Sequence, residues 1–188
     1  MTAGVKPVII DHDAANVDVL RRFGFEVYYG DITRLDLLEA AGAEEAKLII
    51  VAIRDVEKSK ELVKLVAKHY PHLEVVANAA DRSAAYELMD LGVERIRRET
   101  FGSALSLGQD SLKLLGFDPY EAHRMTRLFR KRDEASMPEL HRIYREDVET
   151  YISTYRKHSE EIEELIKLDR SSTTESVDKA WTAGNPEK

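Results

Sequence analysis

The sequence predicts an α/β protein in which a parallel sheet is followed by C-terminal helices. Three observations support this fold class. Short apolar runs alternate with amphipathic segments from residue 6 to about residue 96. The run KLIIVAI is continuously apolar, as expected for a strand that is buried on both faces of a parallel sheet. An alternation of strands and helices also implies right-handed crossovers between parallel strands.

The first half of the chain contains a series of predicted strands and helices. In chain order the strands are KPVII, FEVYY, KLIIVAI, LEVVANA and VERI. The helices between them are ANVDVLRRFG, DITRLDLLEAAG, VEKSKELVKLVAKHY and RSAAYELMDLG. The first helix places Val17, Leu20 and Phe23 on one face, and Gly24 suits its C-terminal end.

The second half of the chain is predicted to be helical. A first helix covers ETFGSALSLGQDSLKLLG, and one long helix runs from Pro138 to Arg170. The apolar stripe of the long helix packs either on its own domain or on a partner. That stripe consists of Leu140, Ile143, Tyr144, Val148, Tyr151, Ile152, Tyr155, Ile162, Leu165 and Ile166. The tail from residue 171 to residue 188 is rich in turn formers and is expected to be disordered.

Composition narrows the classes of function. With 188 residues, 43% of them hydrophobic, the chain can form a substantial core. A net charge of −7 argues against nucleic acid as a partner. The absence of cysteine excludes disulfides, thiolate metal sites and cysteine nucleophiles. No apolar run approaches the roughly 20 residues that cross a bilayer, so we expect a soluble, cytoplasmic protein.

An acidic residue stands at the end of the first predicted strand. Asp11 either belongs to a polar turn, in which Asp13 caps the following helix, or accepts hydrogen bonds from a ribose. Dinucleotide-binding folds place such an acid roughly 20 residues after a glycine-rich phosphate loop. Only MTAGVKPVII precedes Asp11, and it contains no such loop.

Two more strand ends carry candidate binding residues. Asp31 either caps the next helix, with Thr33 in its first turn, or faces a ligand. Ala52 and Ile53 follow the third predicted strand, at the carboxyl edge where open α/β folds bind ligands. The small Ala52 side chain would let a ligand approach the backbone.

Arginines are candidates for anion binding because a guanidinium binds a carboxylate through two parallel hydrogen bonds. Arg97 and Arg98, in the stretch RRETF, are both candidates for this role. In the alternative interpretation both are surface charges ahead of a helix that Thr100 caps. Arg54 follows the third strand together with Ala52 and Ile53, at the same ligand-binding edge, and alternatively pairs with its neighbour Asp55.

Several stretches of the chain carry a family resemblance. They are VIIDHD, LRRFGFEVYYGDITRLDLLEAAGAEEAKLIIVAI, GVERIRRETFGSAL and GFDPYEAHR. Over about residues 5 to 145 the chain resembles the cytosolic nucleotide-binding regulatory (RCK/KTN, TrkA-N-like) domain of Kef-type, glutathione-gated potassium-efflux systems. In that family a strand and a G-x-G-x-x-G turn precede VIIDHD. The resemblance therefore implies an N-terminally truncated, Rossmann-like sheet that lacks its first strand and glycine-rich loop.

The missing strand is the central one in a doubly wound sheet. Its removal would leave open strand edges, which favour association. The sheet could close up, with the strand of Val8 beside that of Ile50, or another chain could fill the gap. The implied domains are an incomplete nucleotide-binding domain (5–97), dimerisation or crossover helices (98–136), a long amphipathic helix (137–170) and the tail (171–188).

The resemblance also implies two ligands. AMP or NAD(H) would bind weakly, without the loop, at Asp11, Asp31, Thr33, Ala52 and Ile53. Glutathione would bind at Arg98, Asp133 and Phe23. Family members have asparagine where this chain has Asp133, and a carboxylate cannot donate a hydrogen bond and repels a ligand carboxylate. Phe23 is alternatively a core residue of its helix.

The implied function is ligand sensing that gates potassium/proton efflux. The implied partners are a second copy of the chain, a membrane potassium/proton antiporter domain of the same polypeptide and a quinone-reductase-like ancillary subunit, at the cytoplasmic face of the inner membrane. No metal site is expected, and G-x-S-x-G and H-E-x-x-H are absent, so we expect no enzyme. Two alternatives stay open: an NAD-dependent oxidoreductase fragment, and a dimerisation module without ligand competence.

Overall fold

The computed structural model describes residues 4–183, with side chains as far as residue 168. The chain divides into two compact units, Met1–Thr100 and Phe101–Lys188. The division lies close to the predicted domain boundary after residue 97. Each unit is described separately below.

The first unit alternates strands and helices, as the sequence predicts. Its elements are β1 (Val8–Asp11), α1 (Ala14–Arg22), β2 (Glu26–Tyr29), α2 (Leu35–Ala40), β3 (Leu48–Val51), α3 (Val56–His69), β4 (Glu74–Ala79), α4 (Arg82–Asp90) and β5 (Arg95–Arg98). Aspartates cap α1, α3 and α4, where the side chains of Asp13, Asp55 and Asp81 accept hydrogen bonds from first-turn N–H groups. Gly24 follows α1 with φ at +81°, which confirms its predicted place at the helix end.

The strands of the first unit form two separate parallel sheets. β1 pairs with β2 in one sheet, and β3, β4 and β5 form the other in that order. Within residues 4–183, β1 and β3 exchange no ladder hydrogen bonds. Of the two predicted arrangements, the closed sheet with β1 beside β3 is therefore not formed, and both strands keep an open edge.

The prediction that β3 is buried on both faces is wrong. Val51 is fully buried, whereas Leu48 and Ile50 are 48% and 65% exposed. Side chains alternate between the faces of a strand, so Leu48 and Ile50 share the uncovered face. A sheet face is covered by the helices packed on it, and α3, which contacts β3, leaves this face uncovered. Burial on both faces requires a complete doubly wound sheet.

The core of the first unit lies where α3 and α4 pack beside the three-stranded sheet. Leu62 of α3 and Ala85 of α4 are fully buried. Leu88 of α4 is 1% exposed, and Ala77 of β4 lies against these helices with the same exposure. The helix pair and the sheet thus form a conventional α/β layer.

The second unit consists of the helices α5 (Phe101–Leu114), α6 (Pro119–Ile143) and α7 (Val148–Ala183). A single helix from Pro138 to Arg170 is not formed, since Pro138 lies inside α6 and the chain turns before Val148. Asp147 explains the break, because its side chain accepts the N–H of Glu149 at 3.0 Å and starts a new helix.

The apolar stripe of the second unit packs partly within that unit. Leu140 of α6 is fully buried and Ile162 of α7 is 8% exposed, which supports packing on its own domain at these positions. Val148 and Ile152 remain 66% and 45% exposed. The segment expected to be disordered is helical as far as Ala183, and residues 184–188 lie outside the described residues. No helix in the described part is long and apolar enough to cross a membrane.

Candidate functional site

Asp11 ends β1 and organises the turn into α1. Its Oδ1 accepts the backbone N–H of Asp13 at 2.9 Å, and its Oδ2 accepts the side-chain amide of Asn16 at 3.4 Å. Asp13 in turn accepts the N–H of Ala15 at 2.8 Å and caps α1, as predicted. Because an ionised carboxylate has about four acceptor sites, Asp11 can shape this turn and still accept a further hydrogen bond.

Asp31 closes a local turn after β2 and does not cap α2. Its Oδ1 accepts the backbone N–H of Thr33 at 3.1 Å and the Thr33 hydroxyl at 2.9 Å. The capping interpretation is wrong because Arg34 occupies the N-cap position and α2 begins only at Leu35. Gly30 precedes the turn in a conformation that favours glycine, and a Cβ there would lie 2.9 Å from Leu37 Cδ2.

Lys58 contacts the second oxygen of the same carboxylate. Its Nζ donates to Asp31 Oδ2 at 3.2 Å. The Thr33 N–H and hydroxyl, followed by Lys58, lower the pKa of Asp31 from 3.8 to about 2. Asp31 is therefore a fixed negative charge at neutral pH, with both oxygens held.

Sequence reasoning did not single out Lys58. It lies on the charged face of α3, one lysine among several in KSKELVK, so nothing local distinguishes it. The contact joins residues 27 positions apart and depends on how α3 lies beside the β2–α2 turn.

The segment after β3 carries two of the predicted residues. Ala52 is exposed and Ile53 is half-buried. The Ile53 carbonyl accepts the Ser59 hydroxyl at 3.1 Å. The predicted pairing of Arg54 with Asp55 is wrong, because Asp55 caps α3 and Arg54 Nε lies 3.9 Å from Glu99 Oε1.

The proposed glutathione residues lie in different parts of the chain. Arg98 ends β5 and is half-buried, whereas the exposed Arg97 donates to the Ile96 carbonyl at 3.1 Å. Phe23 follows α1 and is 73% exposed, which excludes its alternative role as a core residue. Asp133 lies on α6 in the second unit and is 6% exposed.

The structure thus gathers part of the predicted set at one edge of the first unit. Asp11, Asp31 with Thr33, and the segment after β3 all follow the carboxyl ends of strands. Carboxylate oxygens there can accept hydrogen bonds from hydroxyl or amino groups of a ligand, and Lys58 can donate one. Among the described residues there is no group of three side chains suited to hold a metal ion.

Two family models match the chain. The TrkA-N domain matches residues 1–98, and the potassium efflux system KefB C-terminal domain matches residues 103–180. The chain belongs to the TrkA-N domain family, in the Kef-type regulatory form that its sequence predicts.

Relatives and solved structures agree with this assignment. The glutathione-regulated potassium-efflux system proteins KefC of Escherichia fergusonii and Escherichia coli O9:H4 are 40% identical over 170 residues, which is 90% of this chain. The chain spans only 27% of the length of these relatives.

Among solved structures, the Kef C-terminal domain of Shewanella denitrificans in its AMP-bound form is 39% identical, with a TM-score of 0.63 over 72% of this chain and 97% of that one. The TrkA-N domain of the inner membrane protein YbaL from Escherichia coli is 22% identical, with a TM-score of 0.53 over 61% of this chain and 82% of that one. The predicted Rossmann-like α/β fold is confirmed.

Proposed function

We propose that this chain is the regulatory, ligand-sensing domain of a glutathione-gated potassium/proton efflux system and is not itself an enzyme. The observation that carries the proposal is its similarity to the AMP-bound Kef domain of Shewanella denitrificans, which it covers almost completely. The name of its KefC relatives supports glutathione regulation and potassium efflux as the wider function.

AMP or NAD(H) is the proposed nucleotide at the strand ends of the first unit. Asp11 accepts hydrogen bonds from the ribose, in keeping with its place at the end of β1. Asp31 and Thr33 lie against the adenine side of the nucleotide, and the backbone of Ala52 and Ile53 lines another part of the same site.

Glutathione is the proposed regulatory ligand. Arg98 binds one of its carboxylates through paired hydrogen bonds, and its half-buried position strengthens such bonds by excluding water. Phe23 senses bulky adducts, and its exposure leaves the ring accessible. Asp133 lies where family members have asparagine, and its carboxylate weakens binding because it cannot donate a hydrogen bond and repels a ligand carboxylate.

The proposed partners follow from the same assignment. A second copy of the chain packs against the exposed face of α5, where Leu107 and Leu114 are 70% and 90% exposed. The dimer attaches to a membrane potassium/proton antiporter domain at the cytoplasmic face of the inner membrane, with a quinone-reductase-like subunit as an ancillary partner. Glutathione and its bulky adducts gate transport if they bind two states of the dimer with different affinities.

Calorimetric titration with AMP and with NADH tests the nucleotide site. Asp11→Asn keeps an acceptor for the Asp13 N–H but removes the charge, so affinity should fall by about tenfold, the loss of one charge-assisted hydrogen bond. Asp18→Asn removes the same charge from an exposed position on α1 and should leave the affinity unchanged. Absence of saturable binding of both nucleotides would refute the nucleotide part of the proposal.

A further inference from the structure

A pocket with a volume of about 180 Å³ lies between α5 and α6, within the second unit. From α5 it is lined by Ser106 and Gln109, and from α6 by His123, Arg127 and Arg130. The three α6 residues follow one another at helical spacing and therefore share one face of the helix. None of them belongs to the proposed nucleotide or glutathione set.

The side chains that line this pocket are rich in hydrogen-bond donors. The single proton of the Thr126 hydroxyl has three acceptors within reach, the carbonyl oxygens of Ala122 and His123 at 3.1 and 3.0 Å and Gln109 Oε1 at 3.3 Å. The NH₂ group of Gln109 is a donor that a ligand can use. Each arginine offers a fork of N–H donors and no acceptor, and no carboxylate lines the pocket.

The ion pairs within the described residues also bear on this pocket. Among the described residues, no ion pair involves Arg127 or Arg130, whereas Lys60 contacts Glu57 at 2.7 Å and Glu87 at 2.6 Å. Arg127 and Arg130 line the same pocket, so both guanidinium groups can donate to one anion there. An anion bound by both would satisfy several donors at once.

We propose that the α5–α6 pocket binds the oxyanion group, phosphate or carboxylate, of a small metabolite. Arg127 and Arg130 bind the oxyanion through their guanidinium N–H groups, and Gln109 and His123 donate further hydrogen bonds. The volume of 180 Å³ suits a single anionic group and is smaller than the roughly 300 Å³ of the smallest typical ligand pockets, so the rest of the ligand extends into solvent. This site is additional to the function proposed above.

Titration of the whole chain with inorganic phosphate and with succinate, followed by ¹H–¹⁵N NMR at constant ionic strength, tests the proposal. We expect saturable shifts of amide signals from the pocket-lining segments of α5 and α6. Tighter binding of phosphate would identify a phosphoryl group as the natural partner, and tighter binding of succinate a carboxylate. Saturation by neither anion would overturn the proposal.

Matched variants distinguish anion binding in this pocket from a general effect of positive charge on the helix. Arg127→Gln and Arg130→Gln should each raise the dissociation constant of the preferred anion about tenfold, the loss of a charge-assisted hydrogen bond. Arg132→Gln removes the same charge from an exposed position on α6 outside the pocket and should change it little. An equal loss in Arg132→Gln would overturn the proposal, and dispersed spectra of every variant establish that the fold is intact.

Discussion

Lys58 Nζ lies 3.2 Å from Asp31 Oδ2 and so ties α3 to the turn that follows β2. The two residues belong to the segments that follow β3 and β2, strands of two sheets that exchange no ladder hydrogen bonds within the described chain. Their ion pair therefore bridges the carboxyl ends of the two sheets, at the edge where the candidate nucleotide residues lie. The contact also holds the Asp31 carboxylate in place before any ligand arrives.

The first prediction concerns the acid stability of the first unit. Asp31 has a folded pKa of about 2, below its usual 3.8, so it stabilises the fold above pH 3.8 and loses that contribution as the pH falls through about 2. Asp31→Asn should be less stable than the unmodified chain near about pH 5, and the difference should shrink toward pH 2. Urea unfolding across this range measures it, and a constant difference would contradict it.

The hydrogen bonds from Thr33 lower the pKa of Asp31 more than the contact with Lys58 does. Thr33→Val, which removes only the hydroxyl, and Lys58→Gln should therefore both raise the pKa of Asp31 while leaving it below 3.8, because the Thr33 N–H bond persists. NMR titration of the side-chain carbonyl carbon reports each pKa. Lys64→Gln, an exposed change on α3, serves as the control.

The second prediction tests the arginine proposed to bind glutathione. Arg98→Ala should weaken glutathione binding by about ten- to a hundredfold, since it removes a charge-assisted hydrogen bond from a half-buried position. Arg97→Ala should change it little, because the Arg97 side chain is exposed and bonded to the Ile96 carbonyl. Isothermal calorimetry gives both affinities. Equal affinities for glutathione with and without Arg98 would contradict the proposed role, and Arg98 would then be a surface charge ahead of a helix.

The third prediction concerns the position where the family has asparagine. Asp133→Asn should strengthen glutathione binding, since the amide supplies a donor and removes a negative charge that repels the ligand carboxylate. The charge is effective because Asp133 is only 6% exposed and poorly screened by solvent. Glu134→Gln, an exposed neighbour, controls for net charge in the same calorimetric titration. Weaker binding to Asp133→Asn would exclude this role.

The fourth prediction concerns self-association through α5. Leu114 is 90% exposed and Leu107 is 70% exposed, so a second copy can bury them. Leu114→Glu should shift the chain from dimer to monomer in sedimentation velocity, because a charge at an apolar interface loses its hydration. Leu168→Glu changes a 65% exposed leucine of α7 and should leave the dimer intact. A monomeric unmodified chain at micromolar concentration would remove this interface.

The fifth prediction concerns the core of the second unit. Leu140 is fully buried, so Leu140→Ala should lower the free energy of unfolding of the second unit by about 2–5 kcal/mol through lost burial and a residual cavity. Leu168→Ala, at a 65% exposed position, should change it by less than about 0.5 kcal/mol. Thermal or urea unfolding followed by circular dichroism measures both. Similar small effects of the two changes would show that burial of Leu140 contributes little to the stability of the second unit.

Local rules explain most of the fold that was predicted correctly. The alternation of apolar runs and amphipathic segments predicted every strand and helix of the first unit, because each element depends on residues within one or two turns. Asp13 was predicted as a cap and Gly24 as a helix end for the same reason. The position of Asp11 at the end of a strand was likewise predicted from the residues next to it. The sequence by itself thus determined the elements of the first unit and the strand-end position of Asp11, for which nucleotide binding stays a prediction.

Tertiary structure decided the features that depend on distant residues or on competing local signals. The open edges of β1 and β3 depend on which strands find a neighbour, and the exposure of Ile50 depends on which helices pack on the sheet. The Lys58–Asp31 pair joins positions 27 residues apart, so no periodicity could predict it. The apolar stripe continued through residues 144–147, where capping by Asp147 prevailed and divided the helix. Periodicity describes which face of an element is apolar, whereas strand pairing and long-range ion pairs depend on how the elements assemble in space.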